Sequence, residues 1–371
     1  MPVTEAQVVE ALRPVEDPEL RQSIVELDMV RGVRVDGPKV DLTIALTVAG
    51  CPLRAEITDR VTTAVRGLEG VDAVDLEFTV MTDDERAALR ERLQAPAPAG
   101  GGAREMPFAD PSSATRVLGI SSGKGGVGKS SVTVNLAVTL ARLGHDVAVL
   151  DADVYGFSVP KMLGITQAPV VIDQMIVPPV AYGVKVISMG FFAGEDQPVI
   201  WRGPMLHKAL EQFLTDVYWN EPDYLVVDMP PGTGDVSLSI AQFLPRAEVI
   251  VVTTPQPAAQ RVAQRAAAMA RKVELDVVGV IENMSWFRGD DGKAYEIFGR
   301  GGGQELADAL GVPLLGRVPL VPELREGGDV GRPITVTDPE NEASQSFAEI
   351  ARRLSEDLAP KRVYRKELRI V

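Results

Sequence analysis

The sequence predicts a doubly wound α/β domain with a mostly parallel sheet, preceded by a small α+β domain, and three observations carry this. Short apolar runs, "RVLGISS", "DVAVLDAD", "YLVVDMP", "AEVIVVTTP", "DVVGVIEN" and "PLLGRVP", alternate with stretches of helical spacing, as strands buried on both faces require. A glycine-rich loop, "GKGGVGKS" at Gly123 to Ser130, directly follows the first of these runs and opens the helical stretch "SVTVNLAVTLARLG". Upstream, "APAPAGGGA" at Ala95 to Ala103 has no apolar periodicity and is built from spacer residues. These features divide the chain into a small domain over residues 1–84, a helix and Ala/Pro/Gly linker over 85–113, and a phosphate-loop domain over 114–371.

In the small domain, "TEAQVVEALRPV" has helical spacing and "VRGVRVDGPKVDLTIALTV" alternates like a hairpin about Asp36-Gly37. "LRAEITDRVTTAVRGL" is an amphipathic helix, and "VDAVDLEFTV" alternates again. The result is an α-β-β-α-β unit of about eighty residues, large enough to fold alone.

The larger domain is expected to place its ligand at the carboxyl ends of its strands. Gly123, Gly125, Gly126 and Gly128 let backbone N–H groups turn toward phosphate oxygens around Val127, and the helix start adds its dipole. Lys129 reaches the β and γ phosphates, and the Ser130 hydroxyl takes a Mg2+ position. Three aspartates fall at strand ends beside this loop: Asp151 and Asp153 in "VLDADVYG", and Asp228 in "YLVVDMPPGTGD". Carboxylates there can hold magnesium, partly through water, or orient an attacking water, which is most of what phosphoryl transfer asks of a protein. The turn "PPGTGD" is placed to sense the γ phosphate.

Composition narrows the partners. The chain has 38 basic and 52 acidic residues among 371, a net charge of −14, which argues against nucleic-acid binding through overall electrostatics. No window approaches the ~20 apolar residues of a membrane span, and the N-terminus is acidic where a secretory signal is basic, so a cytoplasmic protein without stable membrane association is expected. A single cysteine, Cys51, excludes an internal disulfide framework and a four-cysteine metal site within one chain.

The additional, earlier lysine of the loop, Lys124, makes "GKGGVGKS" resemble the deviant Walker A loop of the P-loop NTPase family that includes the nitrogenase iron protein and the Min and Par ATPases. The resemblance implies an ATP-dependent homodimer in which Lys124 reaches the partner's nucleotide; a lysine that merely screens phosphate is the other reading. It also gives Asp153 the water-orienting role and Asp228 the Walker B role. The stretches "DADVYGFSVPKMLG", "WRGPMLHKALEQFL", "GVIENMSWF" and "FGRGGGQELADALGVPLLGRVPL" are similar to the Mrp/ApbC group of ATP-dependent iron-sulfur cluster carriers, from Arg116 to about Pro333. Its adenine-side asparagine maps onto Asn283, whose amide suits a purine edge; an ordinary strand-end turn residue is the alternative.

The N-terminal "DPEL" and "TVAGCPLRAEI" resemble the small iron-sulfur-assembly-associated domain often fused ahead of this ATPase. There the cysteine of G-C-P is the notable position, here Cys51, at a strand-to-helix junction that can lower a thiol's pKa. A small buried hydrophobe is the other reading of a lone cysteine. The group usually carries C-P-x-C after "ENMS" and an aromatic pair, and two such pairs hold a bridging [4Fe-4S] cluster across the dimer. Here that place reads "RGDDGK", Arg288 to Lys293, which supplies no thiolate. Four aromatics, Trp286, Phe287, Tyr295 and Phe298, flank it in a chain that is 5% aromatic, and are expected at or near the subunit interface.

The leading expectation is therefore a homodimer that binds and hydrolyses ATP and carries or helps load iron-sulfur clusters onto apo client proteins. The alternative is a Min/Par-like positioning ATPase acting on membrane or DNA, for which the tail "PKRVYRKELRIV", with five basic residues in twelve, could meet an anionic surface. A metabolic kinase is disfavoured, since only His145 and His207 are available for histidine acid/base chemistry.

Overall fold

The first helix opens on a capping box: Thr4 Oγ1 accepts from the Gln7 N–H at 3.3 Å while the Gln7 side chain accepts from the Thr4 N–H at 2.9 Å. The computed structural model describes residues 3–18, 20, 22–47, 54–93, 106–154, 156–192, 203–232 and 235–358. Cys51, the Ala95 to Ala103 spacer and the basic C-terminal tail lie outside them.

Helix α1 (Glu5–Leu12) leads to strands β1 (Val30–Asp36) and β2 (Lys39–Leu46), an antiparallel hairpin in which Asp36 pairs with Lys39. Gly37 takes φ +61 in the turn, a conformation that a Cβ would disfavour. Helix α2 (Arg54–Arg66) crosses to β3 (Ala73–Val80), which pairs parallel to β2. Val8 and Leu12 of α1, and Ile57, Val61 and Val65 of α2, recur at helical spacing and bury against Val40, Leu42 and Ile44 of β2. Helix α3 (Asp83–Leu93) follows, with a second capping box between Thr82 and Glu85.

The larger domain runs through β4 (Arg116–Ser122), α4 (Lys129–Arg142), β5 (Val147–Asp151), the short α5 (Val159–Met162), the hairpin β6 (Val170–Ile172) and β7 (Met175–Val177), β8 (Val180–Ala181) and β9 (Val184–Ser188). It continues with α6 (Gly203–Thr215), β10 (Tyr224–Asp228), α7 (Asp235–Phe243), β11 (Glu248–Thr253), α8 (Pro257–Lys272) and β12 (Asp276–Asn283). A small hairpin of β13 (Phe287–Arg288) and β14 (Ala294–Tyr295) precedes α9 (Gly302–Leu310), β15 (Leu314–Val318), α10 (Pro322–Asp329), α11 (Ile334–Thr337) and α12 (Glu342–Arg352).

Among the described residues, eight of these strands form one sheet in the order β15-β12-β11-β4-β10-β5-β9-β8, parallel throughout except for β8 at one edge. Two apolar cores cover its faces. Helices α6, α7, α8 and α9 pack on one side and α4 and α12 on the other, and β10 sends Leu225 and Val227 to the first core and Tyr224 and Val226 to the second. The chain winds from β4 outward to β5 on one side and later to β11 on the other, so the crevice beside the C-terminal end of β4 is the topological switch point. No helix among the described residues is long and apolar enough to cross a membrane.

The six apolar runs all become strands of this sheet, and β9 is the parallel strand that the run pattern misses. Lys185 interrupts it, yet that side chain is fully buried. Its ammonium donates to Trp219 O at 2.7 Å and pairs with Asp146 at 3.2 Å, so a charged residue occupies a core strand by being satisfied there.

The hairpin β6–β7 stands outside the sheet and supports the small domain. Ile172, Met175, Val177 and Tyr218 belong to the same apolar cluster as Leu12, Ile24 and Ile57. Gln22 Nε2 donates to the Tyr218 hydroxyl at 2.9 Å, and Arg90 of α3 donates to Asp173 at 3.1 Å. Asp173 and Gln174 form the hairpin turn with φ of +42 and +69, so Arg90 grips a turn whose backbone is itself strained.

Candidate functional site

At the end of β4 the chain passes from strand to helix through the glycine loop. Gly126 and Gly128 have φ of +79 and +81, the left-handed geometry that lets neighbouring N–H groups face one concavity. Gly123 also meets a steric demand that the sequence does not suggest. A Cβ there would lie 2.4 Å from the backbone of Val262 and Ala263, so this glycine admits α8 against the loop. Open space surrounds Gly125.

Four of the expected side chains converge. Asp228, at the end of β10 and fully buried, accepts from Ser130 Oγ at 2.6 Å and pairs with the Lys129 ammonium at 2.7 Å. Lys129 also lies 3.5 Å from Asp153. Thr133 of α4, which sequence reasoning passed over, donates to Asp228 Oδ1 at 2.7 Å. The available signal was its spacing: three residues beyond Ser130, it shares that residue's side of the helix.

Asp151 is a carboxylate of another kind. It accepts from Ser188 Oγ at 2.9 Å and from the backbone N–H groups of Asp153 and Val159, so it fastens the segment that carries Asp153 and starts α5. Burial, reinforced by the charge of Asp228, pushes its carboxyl up to about 7.

On the far side of the loop, the Asn283 amide donates to Val127 O at 2.8 Å, and its Oδ1 is buried with no hydrogen-bond partner among the described residues. An unpaired buried acceptor fits the donor edge of a ligand. Lys124 donates to Gln256 Oε1 of its own chain at 3.3 Å, an interaction the sequence did not suggest. Gly232, in the turn after Asp228, donates its N–H to Ser122 O at 2.9 Å and so connects that turn to the base of the loop.

The donor set suits magnesium. Asp228, Asp153 and the Ser130 hydroxyl offer hard oxygen ligands, and magnesium takes only one or two carboxylates while keeping water and phosphate for its other positions.

The segment "RGDDGK" forms the tip of the β13–β14 hairpin. Asp291 accepts from the Lys293 N–H at 3.0 Å and the Tyr295 hydroxyl at 2.8 Å, which pulls its carboxyl below the usual range. Trp286 donates to Glu342 of α12 at 3.1 Å, and Arg288 pairs with the same carboxylate. Trp286 thus anchors the hairpin within its own chain, while Tyr295 remains 47% exposed.

Comparison with known proteins agrees in both domains. The family model described as "NUBPL iron-transfer P-loop NTPase" matches residues 113–355, and that described as "Iron-sulfur cluster assembly protein" matches residues 5–76. An iron-sulfur cluster carrier protein of Mycobacterium leprae is 48% identical over 354 residues, covering 93% of this chain and 91% of the relative. One of Synechocystis is 42% identical over 360 residues, covering 95% and 97%. Among solved structures, a nucleotide-binding protein of Archaeoglobus fulgidus in complex with ADP is 33% identical with a TM-score of 0.54, covering 62% of this chain and 91% of that one. The septum site-determining protein MinD of Pyrococcus horikoshii, at 23% identity and a TM-score of 0.50 over 66% of this chain and 97% of its own, shares the fold.

Proposed function

Because the chain belongs to the NUBPL iron-transfer P-loop NTPase family, we propose that it is an ATP-hydrolysing, homodimeric carrier that delivers iron-sulfur clusters to apo client proteins in the cytoplasm. One observation supports the nucleotide half of this reading above others: Lys129, Ser130, Asp153 and Asp228 meet at the glycine loop, with Lys129 within 3.5 Å of both carboxylates.

In this reading the loop N–H groups bind the phosphates, and Lys129 exchanges its contact with Asp228 for the β and γ oxygens. Ser130, Asp153 and Asp228 would hold magnesium, partly through water. Magnesium supplies neutralisation of the charge that develops on the transferred phosphoryl group. Asp153 orients the attacking water, and Lys124 of each protomer stabilises the partner's phosphates. Asn283 offers its free Oδ1 to the adenine amino group. The Gly232 turn, tied to the base of the loop, registers whether the γ phosphate is in place.

The cluster is the cargo. An Fe-S cluster ordinarily takes four cysteine thiolates, and a homodimer with one Cys51 per chain supplies two. The remaining two positions are open to exchangeable thiols, which suits a cargo handed on to client cysteines. The β13–β14 hairpin supplies none, and Asp291 is committed to Lys293 and Tyr295.

Anaerobic reconstitution with iron and sulfide tests this reading. The wild-type chain should take up both and transfer them to an apo-ferredoxin, while Cys51→Ala should take up neither. If the wild type binds no iron, direct carriage is wrong; if Cys51→Ala binds as much as the wild type, Cys51 is not the ligand.

A further inference from the structure

Three groups hold the buried carboxylate of Asp228: Ser130 Oγ at 2.6 Å on Oδ2, and Lys129 Nζ and Thr133 Oγ1 at 2.7 Å on Oδ1. Two of them have other partners once a nucleotide enters the loop. A lysine at this position turns to phosphate oxygens and the hydroxyl after it to a metal. Thr133 has no such alternative. It sits one turn inside α4, fully buried, and its hydroxyl has one further acceptor within reach, Lys129 O at 3.1 Å. Its single proton goes to the carboxylate, because that contact is shorter and charge-assisted.

We propose that Thr133 is a positioning residue for the nucleotide reaction, holding Oδ1 of Asp228 so that Oδ2 stays aimed at the magnesium position when Lys129 and Ser130 turn away. The inference rests on the reading of Asp228 as the metal-side carboxylate. One physical point carries it. The terminal torsion of an aspartate is broad, so a donor fixed on one oxygen selects which oxygen faces the loop. Thr133 supplies that donor from the rigid body of a helix.

Thr133→Val keeps the shape and removes the donor, whereas Thr133→Ser keeps the donor. The full chain and both variants are titrated with a fluorescent ATP analogue, once in EDTA and once across a magnesium series, and hydrolysis is followed over the same series. Thr133→Val should raise the half-saturating magnesium concentration about tenfold, as expected for one hydrogen bond to a charged group. Its nucleotide affinity in EDTA should stay within about twofold, and Thr133→Ser should restore the wild-type magnesium dependence. Thr133→Ala, which cannot clash, must reproduce the shift should the valine variant fail to fold. An unchanged magnesium dependence, or equal losses with and without magnesium that serine does not rescue, overturns the proposal. If the wild type itself binds nucleotide identically with and without magnesium, the metal reading of Asp228 falls, and this one with it.

Discussion

Gly128 and Asn283 leave no room between them: a methyl group on Gly128 would lie 2.2 Å from the Asn283 amide nitrogen. The last glycine of the loop and the last residue of β12 therefore fit as one piece, so that the groups proposed to read phosphate and base share a wall.

Gly128→Ala should fail twice. Its φ of +81 is strained for any Cβ, at about 1 to 3 kcal/mol, and the methyl displaces Asn283. Urea unfolding should show the stability loss, and calorimetry should show ATP binding abolished. Adding Asn283→Ala removes the clash but not the backbone strain, so the double variant should be more stable than the sum of the two changes.

Lys129 and Lys124 should separate cleanly. Lys129→Ala leaves the carboxylate of Asp228 buried without its cation, a loss of about 3 kcal/mol seen in thermal unfolding, and abolishes hydrolysis. Lys124→Ala should change stability by less than about 0.5 kcal/mol. If Lys124 acts across the dimer, mixing it with a hydrolysis-dead Asp153→Asn chain should restore part of the activity through heterodimers.

Asp151 gives stability a pH dependence of defined sign. Its folded pKa of about 7 lies above the ordinary carboxylate value of 3.8, so the folded chain binds the extra proton. The contribution is fully present below about pH 4 and is lost as pH rises toward and through 7. Asp151→Asn carries no such proton. Its stability relative to wild type should therefore be higher at pH 8 than at pH 5, in paired urea titrations.

The contact between the domains is open to a gentle test. Tyr218→Phe removes the partner of Gln22 and should lower the stability of the small domain by about 1 kcal/mol. Differential scanning calorimetry of the full chain should show its transition moving down, while that of the nucleotide-stabilised domain stays in place.

Much of this architecture was legible in the chain itself. The apolar runs are strands because a parallel sheet covered on both faces tolerates little else, and "GKGGVGKS" is informative because strand and helix flank it. What escaped depends on contacts between distant residues. Lys185 hid β9, since a buried lysine satisfied by Trp219 O and Asp146 cannot be told from a surface one by periodicity. Thr133 looked like an ordinary helix residue until β10 brought Asp228 against it. Gly123 resembled a phosphate-loop glycine, and only the approach of α8 reveals its steric role. The spacing that marked Asp151 and Asp153 as a pair could not say that one seals the fold and the other borders the site.

Among the described residues, the small domain meets Val170, Ile172, Met175 and Val177 of β6–β7 together with Tyr218, joined by the Gln22–Tyr218 hydrogen bond and the Arg90–Asp173 ion pair. Carried on one chain, these contacts work at an effective concentration that tethering commonly raises to about millimolar, so they are not required to hold two free proteins together. Because the association is intramolecular, its occupancy is independent of the cellular abundance of the protein.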